Sequence, residues 1–125
     1  MKKLLAFLFS LLISFNSYGA WTKVTENAGD RYFIDRSTIK EKGGYVYFWE
    51  LEDLKIMSDG VLSVKAFSQV DCDLYQFKVL SVSFHSQGMG KGSPIQTLTP
   101  PEKWHSSPPN TIGTSIINYA CEYVN

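Results

Sequence analysis

Few residues in this 125-residue chain have both the type and the spacing that catalysis needs. His85 and His105 could act as two metal ligands or as an acid/base pair. No third ligand stands at a matching spacing, so neither a metal site nor a small metal-dependent hydrolase is favoured. Gly88-Met89-Gly90-Lys91-Gly92-Ser93 invites comparison with a phosphate-binding loop. That motif requires Lys followed by Ser or Thr and then a helix, whereas Lys91 is followed by Gly92 and Pro94 opens a strand. A mobile hairpin loop is the better reading. Ser37, Ser93 and Ser115 lack the strand-turn-helix setting of a nucleophile. Asp71 and Asp73 could hold a cation, but a solvated turn is favoured. Glu50, Glu52 and Asp53 read as the wet, exposed end of a strand. The residues predict no catalytic group, no metal and no cofactor.

The two cysteines, Cys72 and Cys121, carry a different chemistry, and compartment decides which. Met1-Lys2-Lys3 is a short basic start, Leu4 to Phe15 is apolar, and Asn16 to Ala20 is small and polar. This pattern predicts a secretory signal peptide over residues 1–20, cut after Gly19 or Ala20. A retained signal anchor is the other reading of the same residues. No later apolar run is long enough to span a bilayer. An exported chain meets an oxidising environment, which favours a Cys72–Cys121 disulfide over free thiols or a metal pair. The expected location is the periplasm or the cell surface. Twelve basic residues less Lys2 and Lys3 leave ten against 12 acidic ones, a net charge of −2 for residues 21–125. That balance, with no dense Lys/Arg run, excludes a nucleic-acid partner.

Residues 21–125 suffice for one domain with one modest core. Trp21 to Thr25 and Arg31 to Asp35 alternate as short strands across a turn at Glu26 to Asp30. Arg36 to Lys42 could start a helical turn, which Gly43-Gly44 stops. Tyr45 to Leu54 has the clearest two-residue period, with Tyr45, Tyr47, Trp49 and Leu51 on one side and Val46, Phe48, Glu50 and Glu52 on the other. Ser58-Asp59-Gly60 is a tight-turn signal, and Val61 to Val70 alternates again with Phe67 on its outer side. From Tyr75 the apolar parity switches between Val79 and Leu80. A strand changes faces only with an extra residue, so a bulge or sharp bend is expected there. Pro94 to Leu98 suits an edge strand, and Pro100-Pro101 and Pro108-Pro109 bracket an irregular segment carrying Trp104. Asn110 or Thr111 caps a helix to about Tyr123, with Ile112, Ile116, Ala120 and Tyr123 as its buried stripe and Cys121 at the border. The expected fold is α+β: an antiparallel sheet of about six strands with a C-terminal α-helix packed on it and tied by the disulfide.

Aromatic residues number 18, of which 14 follow residue 20. That is rich for one sheet and one helix, so Tyr45, Tyr47, Trp49, Phe67 and Tyr75 are expected either to line a partner-covered face or to complete a small second core. The order Trp21, Tyr32-Phe33-Ile34-Asp35, Ser37-Thr38-Ile39, Tyr45 to Trp49, Asp71-Cys72, Gly88/Gly90, Trp104 and Cys121 resembles the surface-adhesin protein E family of bacterial envelope proteins. The resemblance implies an antiparallel sheet whose terminal helix is tied by the disulfide, and a non-enzymatic module that binds host extracellular-matrix or plasma proteins. The candidate contact residues are Tyr45, Tyr47, Trp49, Lys91 and Trp104. The alternative is a periplasmic structural or stress-related envelope protein that forms a homodimer through its sheet.

Overall fold

The computed structural model describes residues 21–125; the leader assigned to residues 1–20 lies outside them. One antiparallel sheet contains β1 (Trp21–Asn27), β2 (Asp30–Asp35), β3 (Lys40–Lys42), β4 (Tyr45–Ser58), β5 (Val61–Asp71), β6 (Gln76–His85), β7 (Gln96–Leu98) and β8 (His105–Ser106). Its main path runs β1-β2-β4-β5-β6-β7, while β3 pairs with β4 and β8 with β6. One helix, α1 (Ile112–Val124), follows. The six expected strands are present, and β3 and β8 are additions. The expected helical turn is present as a short 3-10 turn over Arg36–Thr38, capped by the Asp35 side chain. Lys40 to Lys42 then forms a strand, because Gly43 and Gly44 take φ of 61° and 86° and fold it back onto β4. Positive φ at both central residues is the twist a two-residue hairpin needs. Asp59-Gly60, with φ of 49° and 78°, does the same between β4 and β5.

The change of parity in β6 has the expected cause. Phe67 of β5 pairs with Ser81 and Ser68 pairs with Val79, so Leu80 is an extra residue on β6. Through this bulge Phe77 and Val79 share the inner face with Val82 and Phe84, although their sequence parities differ. Val46, Phe48, Val70 and Ile34 form the inner core with Ile116, Ile117, Ala120 and Cys121 of α1. Thr111 caps the helix, its side chain accepting from the Thr114 amide. The buried stripe is rotated from the expected one. Ile117 and Cys121 are buried, and Tyr123 is 52% exposed, because the helix leans towards β1 and the disulfide. Cys72, just beyond β5, is bonded to Cys121 with Cα atoms 5.9 Å apart.

Between the N-terminal half of α1 and the sheet lies a cleft of about 200 Å³, walled by Phe48, Val70, Phe77 and Ile112. The carboxylates of Glu50 and Glu52 line it, which corrects the expected exposed acidic strand end. Burial pushes Glu50 up to about 7 from its ordinary 4.5, against the opposing hydrogen bond donated by Ser68 Oγ at 3.0 Å. Glu52 is raised by burial too, and Tyr32 OH donates to it at 3.4 Å. Asp53, on the other face, is only 7% exposed.

Two outcomes follow from these contacts. The disulfide closes a loop spanning 49 residues, which chain entropy values at about 4 kcal/mol. Replacing both cysteines by serine should lower the thermal midpoint by more than about 10 °C without abolishing the β-sheet circular-dichroism signal below it; an unchanged midpoint contradicts the staple's role. Glu50 binds its proton more tightly folded than unfolded. Its stabilising contribution is therefore full below about 4.5 and lost as pH rises towards about 7. Denaturant titrations should show stability falling across that window by at most about 3 kcal/mol. Glu50→Gln should flatten the fall and raise stability at pH 8, and an equal slope in the variant refutes the assignment.

Candidate functional site

Alternation along β4 turns Tyr45, Tyr47, Trp49, Leu51 and Asp53 to the sheet face opposite α1. Across the register the same face receives Gln69, Phe67, Lys65 and Ser63 from β5, and Lys78, Ser81, Ser83 and His85 from β6. The two ends of this outer face differ. At the Asp53 end it is closed by the loop after β6, and at the Tyr45 end it is open.

The closed end explains several residues that invited chemistry. The Met89 amide donates to Asp53 Oδ1 at 2.7 Å, and the Gly90 amide donates to Ser63 Oγ at 2.8 Å. Arg31 Nη2 pairs with the other Asp53 oxygen at 2.5 Å, and the Ser63 hydroxyl donates to the Gln87 carbonyl. The glycine-rich loop is thus packed down on β4 and β5, with its amides spent on side chains of its own chain. The expected mobile hairpin is instead a cover, built by a short 3-10 turn over Gly88–Gly90 with Met89 at φ 57°. His85 is buried beneath this loop, hydrogen-bonded to Ser83 and to the Gly92 carbonyl. Burial, and then the charge of Lys65, push its pKa down. His105 lies at the other end of β6, against the Phe77 ring at 5.5 Å. The two histidines are therefore not a pair. Among the described residues no group of three or more His, Cys, Asp or Glu side chains is arranged to hold a metal. Asp71 accepts from the Asp73 and Leu74 amides and so shapes the turn beside Cys72.

At the open end Tyr45, Tyr47, Trp49 and Phe67 assemble, whereas Tyr75 packs on the main core, its hydroxyl donating to Asn118 of α1. Tyr47 and Phe67 rings are 6.2 Å apart with 24° between their planes, and Trp49 lies 5.2 Å from the other side of the same cluster through Phe67. Tyr45 packs on Trp104 at 5.3 Å, which brings the proline-bracketed segment over the edge of the face. All four of the β4 and Trp104 rings remain half-buried, and a groove of about 720 Å³ runs between Tyr45, Tyr47, Phe67 and the β3 hairpin. Of the five residues expected to meet a partner, Tyr45, Tyr47, Trp49 and Trp104 are therefore gathered on one surface. Lys91 is placed apart from them, exposed on the loop at the closed end.

Sequence reasoning overlooked the cations of this surface. Lys40 and Lys42 pair across from Tyr47 and Tyr45, and Lys78 Nζ sits 4.7 Å above the Trp104 ring. The available signal was the Lys-Glu-Lys run directly before Gly43-Gly44. Read as a hairpin, that run sets both lysines beside the tyrosines.

Comparison with known proteins supports the same architecture. The chain is similar to solved structures of Haemophilus influenzae protein E. One matches at a TM-score of 0.61 and 18% identity, covering 88% of this chain and 94% of that one. A selenomethionine form gives 0.63 at 18% identity over 86% and 89%. Protein E from a non-typeable strain gives 0.56 at 18% identity over 87% and 80%. At that identity the likeness speaks for the fold. No curated protein matches the sequence. The family described as Surface-adhesin protein E matches residues 21–122, nearly the whole described chain. With its sheet, terminal helix and disulfide in place, the chain belongs to the surface-adhesin protein E family.

Proposed function

We propose that this protein is an exported, non-enzymatic interaction module that meets a protein partner through the open aromatic face. The observation that carries the proposal is the gathering of Tyr45, Tyr47, Trp49 and Trp104 with Phe67 at the end of the outer face that, among the described residues, neither the helix nor the loop after β6 covers. Tyr and Trp are the residues most often found at the energetic centre of protein contacts, because they bury large area while keeping a polar group for the rim. Family membership supports an adhesin at the cell surface, and host extracellular-matrix or plasma proteins are the partners to try first. The amino-terminal leader directs export and is cleaved after Gly19 or Ala20. Lys91 stands beyond the rings and contributes at most to the rim.

A second reading has its own observation. On the inner face, Val64, Ala66, Val82 and Phe84 lie beyond the reach of α1 and stay half-exposed, and Leu98 is 43% exposed. Pairing of two copies over this apolar half would give a homodimer suited to structural work in the periplasm.

The test is a binding series on immobilised matrix and plasma proteins. Tyr47→Ser with Trp49→Ser should weaken capture about 30-fold or more, as the loss of a central aromatic pair does. Val82→Ser should leave capture unchanged. Wild-type affinity in the double variant, with its fold intact by circular dichroism, contradicts the aromatic-face reading.

A further inference from the structure

The open face has a charge sign as well as rings. Lys40 and Lys42 stand two residues apart on β3, exposed and in register with Tyr47 and Tyr45. Lys78 flanks the rings from β6, and Lys65 lies on the same face beyond Phe67. Among the described residues the ion pairs are Lys23–Glu26 and Arg31–Asp53, so none of these four lysines is neutralised by a carboxylate. Four acids stand near the face. Asp35, next to Trp49, accepts from the Ser37 amide and hydroxyl, and Asp71 accepts from two backbone amides. Asp53 is paired with Arg31, and Glu41 pairs with Val46 on the side of the other face while touching the groove rim. The overall net charge of residues 21–125 is negative, so this concentration of cations is local rather than a reflection of composition.

The rings form a half-buried floor beside these lysines, with centroid separations of 5.2 to 6.2 Å, and Lys78 Nζ lies over one face of Trp104 at 4.7 Å. The spacing completes the description. Lys40 and Lys42, and beside them Tyr47 and Tyr45, repeat at about 6.6 Å along their strands, the pitch at which an extended peptide presents alternate side chains.

We infer that the partner segment recognised by this face is an extended acidic peptide, its alternate carboxylates set against Lys42 and Lys40 and its intervening side chains lying over the groove between Tyr45, Tyr47 and Phe67. This rests on the interaction-module reading and specifies the chemistry of the partner. Attraction of this kind is screened by salt and is steep in charge number, so it governs capture more than residence.

The probe is a synthetic peptide of about twelve residues with Glu at alternate positions, measured by fluorescence anisotropy against the whole protein at low salt. Its comparators are the same composition with the acids in one block, the same peptide with Lys for Glu, and a heparin fragment. The alternating acidic peptide should bind best, and about 0.5 M salt should remove most of its affinity. Lys40→Glu with Lys42→Glu should weaken it at least about tenfold, while Lys91→Glu, on the far loop, should change it less than about twofold. Both lysines are exposed at an edge strand, so the folded state of that variant can be checked by its unchanged thermal midpoint. Absence of peptide binding, equal binding by the Lys40/Lys42 variant, or tighter binding of heparin overturns the inference. If matrix or plasma proteins are still captured through Tyr47 and Trp49 while the acidic peptide is ignored, only the partner chemistry fails. If neither binds, the interaction-module reading fails with it.

Discussion

One helix cannot cover two faces of a sheet, and this shortage of cover organises the molecule. The strand β4 is apolar on both sides near its start, with Val46 and Phe48 inward and Tyr45, Tyr47 and Trp49 outward. The helix α1 takes the inward set, and the Cys72–Cys121 bond keeps it there by joining it to the end of β5. Among the described residues no helix lies over the outward set. The glycine-rich loop after β6 covers that face only at its other end, over Leu51, Asp53, Ser63 and His85. Cover is therefore diagonal: helix on one end of one face, loop on the opposite end of the other. What stays open is the ring cluster outside and the Val64-to-Phe84 patch inside.

The two covers use different physics. Under α1 the contacts are apolar, and the one ionisable intruder, Glu50, responds with a raised pKa because its charge has too little water. Under the loop the contacts are polar and fully partnered. Asp53 accepts from Arg31 and from the Met89 amide, and Ser63 both donates to Gln87 and accepts from Gly90. No buried side-chain polar atom among the described residues lacks a partner. A polar lid of this kind can be satisfied only in one register, and it therefore fixes the strand alignment as much as it adds stability.

Much of the fold was legible because strands announce themselves by period. The parity switch at Val79-Leu80 demanded an extra residue, and the register shows Leu80 as that residue. Asp59-Gly60 and the Thr111 cap were equally direct. The failures share a cause: they concern residues whose environment is set by distant chain. Lys40 to Lys42 carries no apolar alternation, so nothing local separated a three-residue strand from a helical turn. Glu50 and Asp53 looked exposed because acids usually are, and only α1 and the loop, more than 30 residues away in sequence, bury them. Tyr123 is apolar enough for the helix stripe, yet the disulfide rotates Cys121 inward and leaves it outside. The ring cluster was read from alternation and from an excess of aromatics. Its charge was missed, since Lys40 and Lys42 join it only through the Gly43-Gly44 hairpin.

The central claim is that the outer rings are accessible and sit in a positive field. Trp104 lies under Lys78, and Trp49 is two residues along β4 from the Tyr47–Lys40 pair; with Trp21 on β1 replaced by Phe throughout, their fluorescence reports that field. Quenching by iodide and by caesium at equal ionic strength is the most direct measurement, made on the Trp21→Phe protein and on the same protein carrying Lys40→Glu with Lys42→Glu. The account predicts that iodide quenches more strongly than caesium with the lysines in place and that the lysine variant narrows or inverts the difference. Equal quenching by the two ions, or stronger quenching by caesium, with the lysines in place contradicts it.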